Sequence, residues 1–156
     1  MGTKAWSSVL KSFYPEVESR FGFLVDEFGF AGPRRQDHII RSVSYMTTGF
    51  GYEVSLEPRE GKILTNAWTA YEERYLTAEL DLLVEAAGLA PRQRVSLGAQ
   101  SVFGLRKSIA SQAHWVHLIH PRLVESTSGL ELIRTAARWA GSGSVLQEDS
   151  DRPGWR

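Results

Sequence analysis

Apolar and polar side chains alternate along residues 52–57, where Tyr52, Val54 and Leu56 are separated by acidic or hydroxyl-bearing side chains. This alternation is typical of a β-strand with one buried face and one face toward solvent. Similar short segments lie on both sides of it, joined through the turn sequences Thr47–Gly49 and Pro58–Gly61. Because such short connections join antiparallel strands, the pattern predicts a three-stranded antiparallel meander. The predicted strands span residues 39–46, 52–57 and 63–68.

Apolar residues at helical spacing lie before and after the predicted sheet. On the N-terminal side they predict a helix over residues 15–28 that begins at Pro15 and ends at Gly29, with a shorter helix before Pro15. On the C-terminal side they predict three more helices. These three cover residues 76–87, residues 102 to about 120, where Pro121 ends the helix, and residues 130–140.

The order of these elements predicts an α+β fold, with an N-terminal helix, the three-stranded meander and then three helices that cover one face of the sheet. The length of 156 residues favours one domain, which we assign to residues 1–140. Residues 141–156 are rich in Gly, Ser and Asp, and we expect them to form a mobile tail.

The composition excludes several classes of function. The chain has no cysteine, so it has no disulfide scaffold, no thiol catalysis and no Cys-ligated metal. Lys and Arg together number 18, as do Asp and Glu, and this balance gives no overall field that would attract nucleic acid. There is no secretory signal and no run of 18 apolar residues. We therefore expect a cytoplasmic protein that contacts neither nucleic acid nor a membrane.

Charge is nevertheless segregated along the chain. Residues 53–85 carry eight acidic side chains, whereas residues 86–124 carry none and contain five Arg or Lys residues. One interpretation is that two neighbouring surfaces of the domain attract each other or face solvent. The other is a charged face that meets a partner of opposite charge, with association that weakens as salt rises.

Three histidines, His114, His117 and His120, recur every three residues in the predicted helix. Neutral imidazole is a common metal ligand, so this spacing permits a small metal-binding protein or enzyme. The spacing is poor for one site, however, because three residues advance a helix by about 300° and the trio drifts around its axis. Ordinary helix histidines without a metal and a pH-sensitive interface are the other interpretations.

No other segment carries a catalytic or cofactor-binding motif. The chain has no phosphate-binding Gly-Lys-Ser/Thr loop, no dinucleotide fingerprint and no nucleophile elbow. We accordingly expect a protein that is not an enzyme and has no cofactor.

One stretch resembles small uncharacterised bacterial α+β proteins. The resemblance rests on Phe21–Phe30, with its aromatic-Gly-Phe end, on Val43–Tyr45, on Tyr52–Gly61 and on the helix from Ile109 to Ala113 that leads to His120–Leu123. Some proteins of this kind are immunity proteins that neutralise a cognate polymorphic toxin by binding it. The resemblance implies the fold and the binding of a protein partner such as a cognate toxin. It identifies no binding residues in this chain.

These observations favour a non-enzymatic protein-binding domain. Because Trp, Tyr and Arg dominate the energy of interfaces, we expect the contact residues among aromatic and charged side chains. The predicted contact residues are Trp68, Tyr71, Glu72, Glu73, Tyr75, Arg106 and Trp115. The alternatives are the histidine-based metal protein or enzyme and a homo-oligomer, most simply a homodimer, that associates through an uncovered sheet face or a helix pair.

Overall fold

The computed structural model describes residues 3–140 and 145–146. The helices are α1 (Thr3–Arg20), α2 (Phe23–Asp26), α3 (Leu80–Ala86), α4 (Val102–Leu123) and α5 (Ser126–Ala140). The strands are β1 (Ala31–Asp37), β2 (Arg41–Thr47), β3 (Phe50–Glu57), β4 (Lys62–Tyr71), β5 (Arg74–Glu79) and β6 (Val145–Leu146). A single 3₁₀ turn at Arg92–Arg94 precedes α4.

The strands form one antiparallel sheet in which each strand pairs with its neighbours in chain order. The α+β class, the N-terminal helix and the antiparallel arrangement are therefore confirmed. The prediction of three strands is wrong, because five long strands and the two-residue β6 are present in the described part of the chain. The three predicted strands correspond to β2, β3 and β4, with shifted ends.

The strand β1 lies in a segment that the sequence predicts as a polar loop. It is an edge strand, and its residues 35–37 pair with residues 41–43 of β2. Backbone pairing at an edge requires no apolar side chains, so the pattern of alternation gives no signal there. The predicted strand 39–46 consequently begins only at Arg41, and residues 38–40 form the tip of the β1–β2 hairpin.

The strand β5 occupies the start of the segment predicted as a helix over residues 76–87. Leu76 and Ala78 pair with Thr69 and Ala67 of β4, and the helix α3 begins only at Leu80. The spacing of Leu76, Leu80 and Leu83 suits a helix, but Leu76 and Ala78 also share one face of a strand. Pairing with β4 selects the strand, which local spacing cannot reveal.

Two helices run through prolines that the sequence predicts as breaks. The helix α1 contains Pro15, and α4 contains Pro121 in its last turn. The apolar stripe of α1 continues across Pro15, since Phe13 and Val17 are both fully buried. Burial of that stripe outweighs the one hydrogen bond that proline cannot donate. The predicted helix 15–28 is thus the second half of α1 followed by the separate α2.

The helices pack on one face of the sheet and form a single core with it. Val43 and Tyr45 of β2 and Val54 of β3 point into this core. A buried polar contact joins the layers, because the amide of Gln112 in α4 accepts a hydrogen bond from Thr65 Oγ1 at 2.7 Å and donates to the carbonyls of Ile63 and Ser96. These bonds fix the position of α4 over β4.

The predicted C-terminal tail lies largely outside the described residues. Its described part, β6, pairs with Tyr75 and Leu76 of β5.

Candidate functional site

The β4–β5 hairpin ends in a two-residue turn made of Glu72 and Glu73. Tyr71 pairs with Arg74, so these four residues form the hairpin tip. Both glutamates are exposed and have left-handed backbone conformations, with φ of 48° and 64°. Two-residue hairpin turns of this kind are normally built from Asn-Gly or Asp-Gly, because side chains without a short polar group disfavour positive φ. The tip therefore presents two carboxylates on a strained turn.

Tyr71 lies beside the two glutamates and is half-buried. The guanidinium carbon of Arg134, in α5, lies 5.2 Å from the centre of its ring, which is the geometry of a cation–π contact. This contact holds the aromatic side chain in place at the root of the turn. Arg134 carries no signal in the sequence that marks it as a partner of Tyr71, since 63 residues separate them.

Trp68 in β4 and Tyr75 in β5 lie close to the turn and are buried. Their rings meet edge to face, 5.4 Å apart, on the face of the sheet opposite the helices. The indole of Trp68 lies across Gly51 of β3, where an added Cβ would come within 2.5 Å of the ring. Both residues were predicted to contact a partner; in the structure they are packed, and Tyr71, Glu72 and Glu73 are the members of the set that reach the surface together.

Arg106 and Trp115 lie on α4 and do not form one patch. At about 100° per residue, the step of nine residues from Arg106 to Trp115 places the two side chains on opposite sides of the helix. Arg106 is exposed, with its Nε 3.5 Å from a carboxylate oxygen of Glu16 in α1. Trp115 is half-buried and packs beside His114, with ring centres 5.2 Å apart. The structure therefore separates them from each other, and their contacts are not with the hairpin tip.

The three histidines of α4 have three different environments. His114 is exposed, and His117 lies 3.2 Å from Glu27 through its Nε2. His120 is buried, and its Nδ1 lies 2.7 Å from the hydroxyl of Tyr52. In the described part of the chain, no three His, Asp or Glu side chains are grouped as metal ligands would be. The arrangement gives no support to a metal site at these histidines.

His120 lies among aromatic rings from two segments. Phe28 and Phe30 follow α2, Phe50 and Tyr52 belong to β3, and all four ring centres lie within 6 Å of the imidazole. This burial, with a smaller contribution from the nearby His117, lowers the pKa of His120 to about 4. Burial also raises the pKa of Tyr52, so a neutral hydroxyl and a neutral imidazole share this hydrogen bond. His120 is a neutral structural residue near pH 7.

The acidic and basic stretches of the sequence meet at Asp81. Its buried carboxylate lies 3.2 Å from the guanidinium of Arg92, which joins α3 to the 3₁₀ turn. The backbone N–H of Arg92 also donates to the carboxylate of Glu85. Mutual attraction of neighbouring surfaces therefore accounts for part of the charge segregation, whereas Glu72 and Glu73 face solvent.

No family model matches the chain, and no curated protein or solved structure is significantly similar to it. The resemblance to immunity proteins consequently stays a prediction. None of the helices among the described residues is long and apolar enough to cross a membrane.

Proposed function

We propose that this chain is a non-enzymatic protein-binding domain and that the hairpin tip, Tyr71 to Arg74, contacts the partner. The observation that carries the proposal is the turn formed by Glu72 and Glu73, both exposed and both with positive φ. Left-handed conformations of such residues cost on the order of 1 kcal/mol or more each, and strained residues cluster at functional sites. A partner that binds the two carboxylates would explain why glutamates occupy this turn despite the conformational cost.

The chemistry of the tip indicates the kind of partner. Two adjacent carboxylates without a described ion pair favour a basic surface, because complementary charge speeds association and selects the partner. Tyr71 adds an aromatic side chain whose position is already fixed by Arg134. A fixed aromatic residue loses little side-chain entropy on binding, which makes Tyr71 the expected anchor of the contact.

Neutralisation of a toxin by direct binding is the more specific form of this proposal. It is supported by the resemblance of residues 13–123 to small bacterial proteins that include immunity proteins. Neutralisation by direct binding also requires only a contact surface, such as the hairpin tip, and no catalytic group. A partner that is toxic when it is produced without this chain would assign the immunity role.

The test is a pull-down from a lysate of the source organism at low and high salt, with bound proteins identified by mass spectrometry. Wild-type protein is compared with Glu72→Gln/Glu73→Gln, which removes both charges of the tip. The control is Asp26→Asn/Glu125→Gln, which removes two charges at other exposed positions and leaves the ion pair between Glu131 and Arg134 intact. We expect one partner at near-equal stoichiometry that is lost at high salt and lost from the tip variant, and retained by the control. Equal retention by both variants would contradict the assignment of the tip.

A further inference from the structure

Three large apolar side chains are exposed at two places, the tip of the β1–β2 hairpin and the first turn of α4. Ile39 is 92% exposed and Ile40 is 44% exposed at the tip of the β1–β2 hairpin, and Phe103 is 79% exposed in the first turn of α4. Hairpin tips are normally built from Gly, Asn, Asp or Pro, because those residues suit turns and remain hydrated. The packing of the domain gives no reason for apolar residues at these positions.

Both tips lie at the same end of the sheet. The register places Arg41, just after the β1–β2 tip, opposite Leu56, and Leu56 opposite Ile63 at the start of β4. The loop before α4 is bonded to this start, since the N–H of Ile63 donates to the carbonyl of Leu97 at 2.8 Å. The first turn of α4, with Phe103, therefore emerges at the end of the molecule that carries Ile39. We call this the apolar end.

Exposed cations lie on the segments that form the apolar end, and these include the start of α1, because Trp6 and Leu10 line one cavity with Ile39 and Pro58. Lys4, Arg59 and Lys107 are exposed and form no ion pair with any described residue. Of the carboxylates at this end, Asp37 lies 3.0 Å from Arg41 and Glu60 lies 2.9 Å from Lys62, whereas Glu57 accepts a hydrogen bond from the backbone N–H of Arg59 and has no described ion pair. The three cations outnumber this one carboxylate, so the balance of charge at this end is positive.

We propose that the apolar end binds the surface of an anionic phospholipid membrane. Protruding Ile and Phe side chains reach the boundary between headgroups and acyl chains, and cations beside them bind the lipid phosphates. Nucleic acid would account for the cations but would leave the two isoleucines without a role, since it is bound through stacking and charge. The proposal goes beyond protein binding and departs from our expectation that the chain has no membrane partner.

The absence of cysteine permits a direct test of insertion. A single cysteine introduced as Ile39→Cys or Phe103→Cys is labelled with an environment-sensitive fluorophore and mixed with vesicles. Val124→Cys is the control, because Val124 is 53% exposed and lies just beyond the opposite end of α4. We expect a blue shift at positions 39 and 103 with vesicles that contain 30% phosphatidylserine, and none at position 124.

Sedimentation of unlabelled protein with vesicles measures the affinity. The double variant Ile39→Ser/Phe103→Ser should lose at least about tenfold in affinity, and Lys107→Gln about fivefold, as one cation near an anionic surface contributes about that factor. All the altered side chains are exposed, so unchanged thermal unfolding serves as the folding control. Equal binding to purely zwitterionic vesicles, a uniform fluorophore response, or preference for an oligonucleotide over vesicles would overturn the proposal.

Discussion

Replacing His120 by leucine should remove much of the acid sensitivity of folding. In the folded protein the pKa of His120 is lowered to about 4 by burial, whereas in the unfolded chain it is near 6.5. Between these values the unfolded chain binds a proton that the folded protein does not bind. The free energy of unfolding therefore falls as the pH decreases from about 6.5 to 4, and this contribution levels off below that range.

The size of the effect follows from the two pKa values. At about 1.36 kcal/mol per pH unit, His120 alone should lower the free energy of unfolding by about 3 kcal/mol over this range. Near pH 7 the leucine variant is the less stable protein, because the buried hydroxyl of Tyr52 loses its hydrogen-bond partner at a cost of about 1–3 kcal/mol. Near pH 4 the difference between the two proteins should close or reverse.

Urea unfolding followed by tryptophan fluorescence at several pH values between 4 and 7.5 measures both proteins. His114→Leu is the matched control, since the same substitution there alters an exposed imidazole. The other titrating groups are common to wild type and variant, so the difference between their curves isolates His120. Parallel curves for wild type and His120→Leu would refute the reasoning.

Two further substitutions test the packing that positions the candidate site. Gly51→Ala should lower the free energy of unfolding by about 1–3 kcal/mol, because the new Cβ would meet the buried indole of Trp68 at 2.5 Å. Gly98→Ala, where a Cβ meets nothing within 4 Å, should change the midpoint of thermal unfolding little. Gln112→Leu should cost about 3 kcal/mol in urea unfolding, because a buried hydroxyl and two buried carbonyls lose their partner. Gln100→Leu, at an exposed position, is its control, and equal effects of the two would contradict the role given to that amide.

The sequence predicts those helices and strands in which the spacing of apolar residues matches the spacing of the side chains that are buried in the structure. Tyr52, Val54 and Leu56 alternate because β3 lies in the middle of the sheet with one face on the core, and the prediction there is confirmed. The edge strand β1 carries no such pattern, since its backbone is paired on one side and its side chains remain largely exposed. Strand pairing is a tertiary property, and a local pattern reveals it only where the pairing also buries side chains.

The candidate site was predicted in part, for a related reason. The aromatic and acidic residues near position 72 indicate a contact region. The sequence does not predict a hairpin tip there, because the segment contains no Gly, Asn or Pro at the turn. Burial separates Trp68 and Tyr75 from Tyr71, although all three are aromatic and close in sequence. The sequence predicts Ile39 in a strand, because it continues the alternation of Val43 and Tyr45, and only the register of the sheet shows that Ile39 lies in the turn before β2.

The most direct test of the central claim measures the free energy of unfolding and the binding of the partner in one variant of the hairpin tip. In Glu72→Asn/Glu73→Gly, the turn receives residues suited to positive φ and loses both carboxylates. We predict that the free energy of unfolding rises by about 1 kcal/mol, while the partner captured by the wild-type protein at low salt is no longer retained. A variant that is more stable and still retains that partner would contradict the claim that the acidic turn is kept for binding.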